Sequence, residues 1–185
     1  MLNKQKNFNG KISSILGIVI TTSLLSLPAI ALNSDHRSKI FSHSPKLVAT
    51  EATYYNPSVS STYSFTISVP DNAGQPLKAV TITQKPNFEQ INFTVNESRA
   101  FASNHFVDGE RVALSSIGGQ SQDGQVTIVF DEPIQPGNKV TLDLKAEENP
   151  QHGGIYLFGV EAFSEGMDSQ GLYLGTARLH FDSSD

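Results

Sequence analysis

The most compact set of metal-ligating residue types in the chain is His105, Asp108 and Glu110. An imidazole and two carboxylates on one loop could hold a cation, and the Asp108-Gly109 dipeptide supplies a tight turn to bring them together. A solvated polar turn accounts for the same residues. The five histidines are scattered, and neither H-x-x-x-H nor H-E-x-x-H occurs. The pattern therefore leads us to expect no bound metal and no cofactor, with these three as the residues that would hold a metal if one bound.

Other arrangements fall short of catalysis. Gly119-Gln120-Ser121-Gln122-Asp123 places its closing glycine one position late, at Gly124, for a nucleophile elbow, and no helix follows it. Glu147 and Glu148 are adjacent, so in extended chain they point to opposite sides and cannot act as an acid–base pair alone. Phe130-Asp131-Glu132-Pro133 has some likeness to a segment of small copper-handling sandwiches. Those depend on histidine and methionine ligands, and Met167 is the sole methionine after Met1. Sugar binding calls for exposed aromatic rings. The chain has no tryptophan, which leaves Tyr54, Tyr55 and Tyr156, although aromatic residues in strands usually belong to a core. His152, in a glycine-rich loop, is a candidate ligand contact or a turn residue bonded to backbone; His180 flanks the last strand. The candidates for partner binding are thus Tyr54, Tyr55 and His152.

The chain opens in the manner of an export signal. Lys4, Lys6 and Lys11 precede an apolar body from Ile12 to Leu27, and Pro28-Ala29-Ile30-Ala31 ends in a small-x-small site. That body is interrupted by Ser and Thr and falls short of the roughly 20 apolar residues of a spanning helix. We therefore expect residues 1–31 to be a signal peptide, with no membrane span after cleavage. The absence of a twin-arginine pair favours export of an unfolded chain. The absence of cysteine excludes a lipid-anchored cysteine at the cleavage site and any disulfide, a usual composition for a bacterial periplasm. Removing the signal leaves ten basic against eighteen acidic residues, a net charge of −8. That weighs against nucleic acid and anionic membrane surfaces as partners.

Residues 32–44 are polar and unpatterned, and we expect a disordered leader there. Residues 45–182 are expected to form one domain. Tyr63, Phe65, Ile67 and Val69 alternate with Thr62, Ser64, Thr66 and Ser68, as in a half-buried antiparallel strand. Leu77 to Gln84 reads as the second strand, and Ile91, Phe93 and Val95 as a third. Arg99 to Val107 is ambiguous between strand and helical turn, and Arg111 to Leu114 reads as a short strand. Val126, Ile128 and Phe130 alternate, Pro133 to Asn138 breaks the chain, and Val140, Leu142 and Leu144 resume the alternation. Asn149-Pro150-Gln151-His152-Gly153-Gly154 then opens the densest apolar run, Ile155 to Phe163, which reads as a central strand covered on both faces. The final strand spans Leu172 to Phe181, with Tyr173, Gly175, Ala177, Leu179 and Phe181 expected to face inward. About eight short strands separated by Gly, Pro, Asn and Asp indicate an all-β fold: a two-sheet antiparallel, immunoglobulin-like β-sandwich. A closed barrel is the alternative.

Four strings carry a resemblance: Tyr63-Ser64-Phe65-Thr66-Ile67 with Pro70-Asp71-Asn72-Ala73-Gly74-Gln75-Pro76-Leu77; Phe130-Asp131-Glu132-Pro133 with Pro136-Gly137; Asn149-Pro150 with Gly153-Gly154-Ile155-Tyr156-Leu157-Phe158-Gly159; and Leu174-Gly175 to Leu179-His180-Phe181. From about Pro45 to Phe181 the chain resembles a family of exported cyanobacterial proteins known as a domain of unknown function. The resemblance implies lineage and a cell-envelope location, and it brings no catalytic residue. Two readings follow. The first is a non-catalytic exported module that binds an envelope protein or polysaccharide, in the periplasm, the thylakoid lumen or the medium. The second is a small metal-handling or enzymatic domain with its site on loops.

Overall fold

A computed structural model describes residues 40–102, 109–118, 124–166 and 170–183. Ten strands follow in chain order: β1 (Lys46–Ala52), β2 (Ser61–Ser68), β3 (Leu77–Gln84), β4 (Arg99–Ala102), β5 (Glu110–Val112), β6 (Leu114–Gly118), β7 (Gln125–Ile134), β8 (Lys139–Ala146), β9 (Gly154–Ser164) and β10 (Leu172–Phe181). They form two five-stranded sheets, ordered β1-β2-β8-β4-β5 and β10-β9-β3-β7-β6. Every pairing within them is antiparallel. The chain is thus the expected all-β, immunoglobulin-like sandwich, with ten strands where about eight were expected. No helix among the described residues is long and apolar enough to cross a membrane.

The inward rows follow directly from the period of two. Tyr63, Phe65 and Ile67 of β2 and Val140, Leu142 and Leu144 of β8 point inward from one sheet, and all are fully buried. Val80 and Ile82 of β3, Val126, Ile128 and Phe130 of β7, and Phe158 and Val160 of β9 meet them from the other. Aromatic rings join the two layers. Phe158 lies edge-on to Phe65 at 5.8 Å and to Tyr63 at 6.0 Å. Phe181 stands 5.4 Å from Tyr63 and 5.6 Å from Tyr156. The first sheet's outer face is hydroxylic: Thr66 and Thr141 share a hydrogen bond of 2.9 Å, and Ser64 Oγ donates to Asp143 at 2.6 Å. Burial raises the Asp143 carboxyl above its ordinary value, against the opposing pull of Ser64 and the Arg99 charge.

Five expectations need correction. First, β9 is not covered on both faces. Tyr156, Phe158, Val160 and Ala162 are buried, while Ile155 is 46% and Leu157 37% exposed on the other side. β9 is hydrogen-bonded on both edges, to β10 and β3, but its outer face is only partly covered at those two positions. Density of apolar residues was therefore a poor guide to two-sided burial. Second, Ile91, Phe93 and Val95 do not make a strand. The segment crosses from one sheet to the other, pairs with β8 through an isolated Phe93–Ala146 bridge, and ends in a 3-10 turn at Val95–Glu97. Ile91 and Phe93 are buried as plugs at the end of the core, so an alternating pattern arose without a ladder.

Third, Tyr173 faces outward. A bulge between Tyr173 and Gly175, with Gly175 at φ 138°, switches the faces of β10. Its ring covers Gly159 of β9, where an added Cβ would meet Tyr173 Cε2 at 3.3 Å and the Lys85 side chain at 3.0 Å. Fourth, the expected leader does not reach residue 44 unattached. Phe41 packs against the core, and the Ser42 N–H donates to the Ala73 carbonyl at 2.8 Å. Residues 1–39, with the expected signal and the rest of the leader, lie outside the described residues. Pro133, expected to end a strand, instead lies within β7 at an irregularity in its pairing with β3, where the Lys78 ammonium donates to the Phe130 and Asp131 carbonyls.

The one-sided burial of β9 makes a prediction. Phe158→Ala should lower stability by about 3–5 kcal/mol through lost transfer energy and a cavity. The neighbouring Leu157→Ala should change it by only about 0.5 kcal/mol. Urea unfolding of both variants reads the difference.

Candidate functional site

The strand register brings four segments to one end of the sandwich: residues 53–60 after β1, 85–94 after β3, 147–153 before β9, and the chain beyond Phe181. They meet around Asn149, which is 1% exposed. Its Oδ1 accepts from Tyr63 OH at 2.8 Å, and its Nδ2 donates to the Tyr54 carbonyl at 3.0 Å and the Asn56 carbonyl at 2.8 Å. Its backbone N–H donates to the Val59 carbonyl at 2.8 Å, and its carbonyl accepts from the Ser58 N–H at 3.2 Å. An asparagine suits this position because one side chain both accepts and donates twice, filling the needs of a buried phenol and two loop carbonyls. Burial drives the Tyr63 hydroxyl's pKa far upward, with Tyr156 adding to it, so the phenol remains a donor.

Gly153 lets the chain end come close. A Cβ there would lie 2.5 Å from the backbone of Asp182 and Ser183, so only glycine fits. The Asp182 N–H in turn donates to the Tyr55 carbonyl at 2.9 Å. Next to this hub, Glu89 reaches across to the loop before β9. Its carboxylate accepts from the Gln151 N–H at 2.9 Å and the His152 N–H at 2.6 Å, and it also contacts His152 Nδ1. Phe88 lies edge-on to the His152 ring at 4.7 Å, and Tyr156 OH donates to the His152 carbonyl at 3.0 Å. Burial pulls the Glu89 pKa up, but the two amides and the His152 ring outweigh it, leaving the carboxyl below its ordinary value. Burial, and then the Glu89 charge, push the Tyr156 hydroxyl up.

The end is unusually apolar on its outside. Of the ten large apolar side chains exposed among the described residues, Tyr54, Tyr55, Val59, Phe88 and Ile155 gather here, with Phe88 80% and Tyr54 53% exposed. Tyr55 is the more anchored tyrosine: its hydroxyl accepts from the Ala52 N–H at 3.1 Å, and its ring stands 6.2 Å from Phe181. The fold thus gathers Tyr54, Tyr55 and His152 at one end, although they come from two separate loops. Sequence reasoning missed Phe88, Glu89, Val59 and the Asn149 hub. An aromatic residue in a Pro86-Asn87 break, where no strand can bury it, was the available signal for Phe88.

The metal-ligating set has a different fate. His105 and Asp108 lie outside the described residues, as does Ser121. Glu110 is exposed and lines an open groove of about 840 Å³ at the opposite end, with Ala102, Asp131, Glu132 and Lys139 among its walls. Among the described residues, no three His, Asp or Glu side chains converge closely enough to hold a metal ion. Glu147 and Glu148 are both exposed, and His180 points outward from β10.

A family model described as "Protein of unknown function (DUF2808)" matches residues 38–181. The chain belongs to the DUF2808 family. No curated protein matches it. Among solved structures, this DUF2808 chain is similar to one described as the complete manganese lipoxygenase of Gaeumannomyces graminis with a partial zonadhesin of Komagataella pastoris. The identity there is 12% with a TM-score of 0.49, over 74% of this chain and 46% of that one, so this chain spans less than half of that one. It is also similar to BslA, a bacterial hydrophobin, at 15% identity and a TM-score of 0.45, over 77% and 97% of the two chains. The collagen-binding domain of a Staphylococcus aureus adhesin matches at 8% identity and a TM-score of 0.40, over 72% and 97%. The fold of the DUF2808 domain rests on its own strand register, and no ligand is carried over from these proteins.

The depressed Glu89 pKa sets a sign. This carboxylate stabilises the fold above its unfolded-state value, and the contribution is lost as pH falls through the lower folded-state value. Asp143, raised on folding, runs the opposite way, so the Glu89 effect must be isolated by substitution. Glu89→Gln should be less stable than the parent at pH 7, and the gap should close as pH falls below the ordinary glutamate value of 4.5. Urea unfolding of both proteins across that range measures the gap.

Proposed function

We propose that this chain is an exported, non-catalytic β-sandwich module that docks a cell-envelope partner, protein or polysaccharide, on the loop end built around Asn149. The observation that carries the reading is the gathering of Tyr54, Tyr55, Val59 and Phe88, solvent-exposed, on loops held by a buried hydrogen-bond hub. Exposed apolar groups that cluster on a rigid support, away from any hydrophobic need of the core, are the usual mark of a contact surface. The export reading rests on Lys4, Lys6 and Lys11, the apolar body after them, and the Ala29–Ala31 site. Cyanobacterial lineage rests on the family strings, and the periplasm is the favoured address over thylakoid lumen or medium. After signal removal the acidic surface speaks against nucleic acid and anionic lipid as partners.

Capture from an envelope extract tests this. Immobilised protein should retain a specific protein or glycan, and Tyr54→Ala/Phe88→Ala should reduce recovery at least tenfold while leaving Tm unchanged. Equal recovery by parent and variant would move the docking surface elsewhere.

A further inference from the structure

The outer face of the first sheet carries a charge opposite to that of the whole chain. Its outward rows follow from the strand register. Lys46, Ser68 and Lys139 lie side by side on β1, β2 and β8. Glu51, Ser64, Asp143 and Arg99 form the next charged row, from β1 to β4. Thr141, Phe101 and Arg111 run from β8 to β5, and Lys145 lies across from Thr62. Five cations thus share the face with two carboxylates, on a chain whose net charge is −5. Lys46, Arg99 and Arg111 are exposed, and none of the five forms an ion pair with a carboxylate among the described residues. Asp143 is already held by Ser64 and lies across from Arg99, which leaves Glu51 to oppose the other four cations. At β5 the face meets a recess of about 440 Å³ lined by Asn96, Ser98, Arg111, Val112, Ala113 and Leu114, in which Arg111 is the one charged wall.

We propose that this face binds a carboxylated polysaccharide, lying across the strands with one of its carboxylates on Arg111 at the recess. The surface is separate from the Asn149 loop end, and the proposal does not rest on the docking reading above. Charge complementarity selects an anion. The acidic loops do not cancel the face. Strands β2 and β8 have eight residues each, so the middle of the face lies about 13 Å from either end, beyond the roughly 8 Å over which exposed charges act at physiological salt. The rest of the face selects a sugar. Thr62 and Ser68 are half-buried hydroxyls among the cations, able to exchange hydrogen bonds with sugar hydroxyls. A protein partner would call for an apolar, desolvated centre with aromatic anchors, and a membrane for apolar side chains to insert. Phe101, the aromatic residue of this face, is half-buried in its row. A guanidinium suits a sugar carboxylate because it grips both oxygens at once.

The test is biolayer interferometry of the protein over immobilised polygalacturonate, dextran, polyglutamate and phosphatidylglycerol vesicles. Two double variants are run beside the parent: Lys46→Gln/Arg111→Gln on this face, and Lys85→Gln/Arg178→Gln on the outer face of the other sheet. Both remove two positive charges, so they separate the local face from net charge. Lys46 and Arg111 are exposed, and the first variant should keep the parent's Tm. The proposal expects polygalacturonate to bind, dextran to fail, and polyglutamate and the vesicles to bind at least tenfold more weakly than polygalacturonate. It expects Lys46→Gln/Arg111→Gln to weaken polygalacturonate binding at least tenfold and Lys85→Gln/Arg178→Gln to change it less than twofold. No binding of polygalacturonate, equal binding of dextran or polyglutamate, preference for the vesicles, or equal losses in the two variants would each overturn it. Envelope capture through Tyr54 and Phe88 is untouched by any of these results, so the two surfaces stand or fall separately.

Discussion

Everything at the apolar end depends on the buried carboxamide of Asn149. A buried amide without partners costs about 1–3 kcal/mol, and here each of its polar atoms is occupied. It ties the loop after β1 to the loop before β9, and ties both to Tyr63 of the core. Because its partners in the loop after β1 are backbone carbonyls, the hub fixes where that loop runs and leaves its side chains free to face solvent. That division explains how tyrosines and a phenylalanine remain outside on a protein whose core already holds Tyr63, Phe65, Phe158 and Phe181.

The two ends of the sandwich therefore differ in kind. At one, backbone-to-side-chain bonds from Asn149 and Glu89 hold a raised apolar surface with an acidic recess beside it. At the other, an open groove is bordered by Glu110, Asp131, Glu132 and Lys139, residues of mixed charge. Between them the two sheets are joined by packed aromatic rings. Hydroxyl pairs reinforce both outer faces, Thr66 with Thr141 and Thr81 with Thr127 at 2.8 Å.

Much of the fold was legible in the chain because alternation is a direct image of one-sided burial. The β2, β3 and β8 patterns lead to strands within a residue or two of the observed bounds, and the two-sheet class follows from their number and spacing. Where reasoning failed, the cause was a feature that period two cannot encode. The run from Ile155 to Phe163 is apolar on both sides, yet its outer face is only partly covered, with Ile155 and Leu157 exposed. The bulge before Gly175 reverses Tyr173, and a crossover mimics a strand at Ile91 and Phe93. The candidate site was half visible. Tyr54, Tyr55 and His152 stood out as aromatic or imidazole groups in turns. Their convergence did not, because it is created by long-range bonds between residues 54, 63 and 149, and no local pattern signals which loops a fold will place side by side.

The central claim is that Asn149 organises the loops as well as stabilising the domain. Hydrogen exchange of an Asn149→Ala variant tests it most directly. The account predicts that the amides of Ser58 and residue 149, both bonded across the hub, lose at least ten times more protection than the amides of β2, β8 and β9. Loss spread evenly over loops and strands, or loop amides as protected as in the parent, would contradict it.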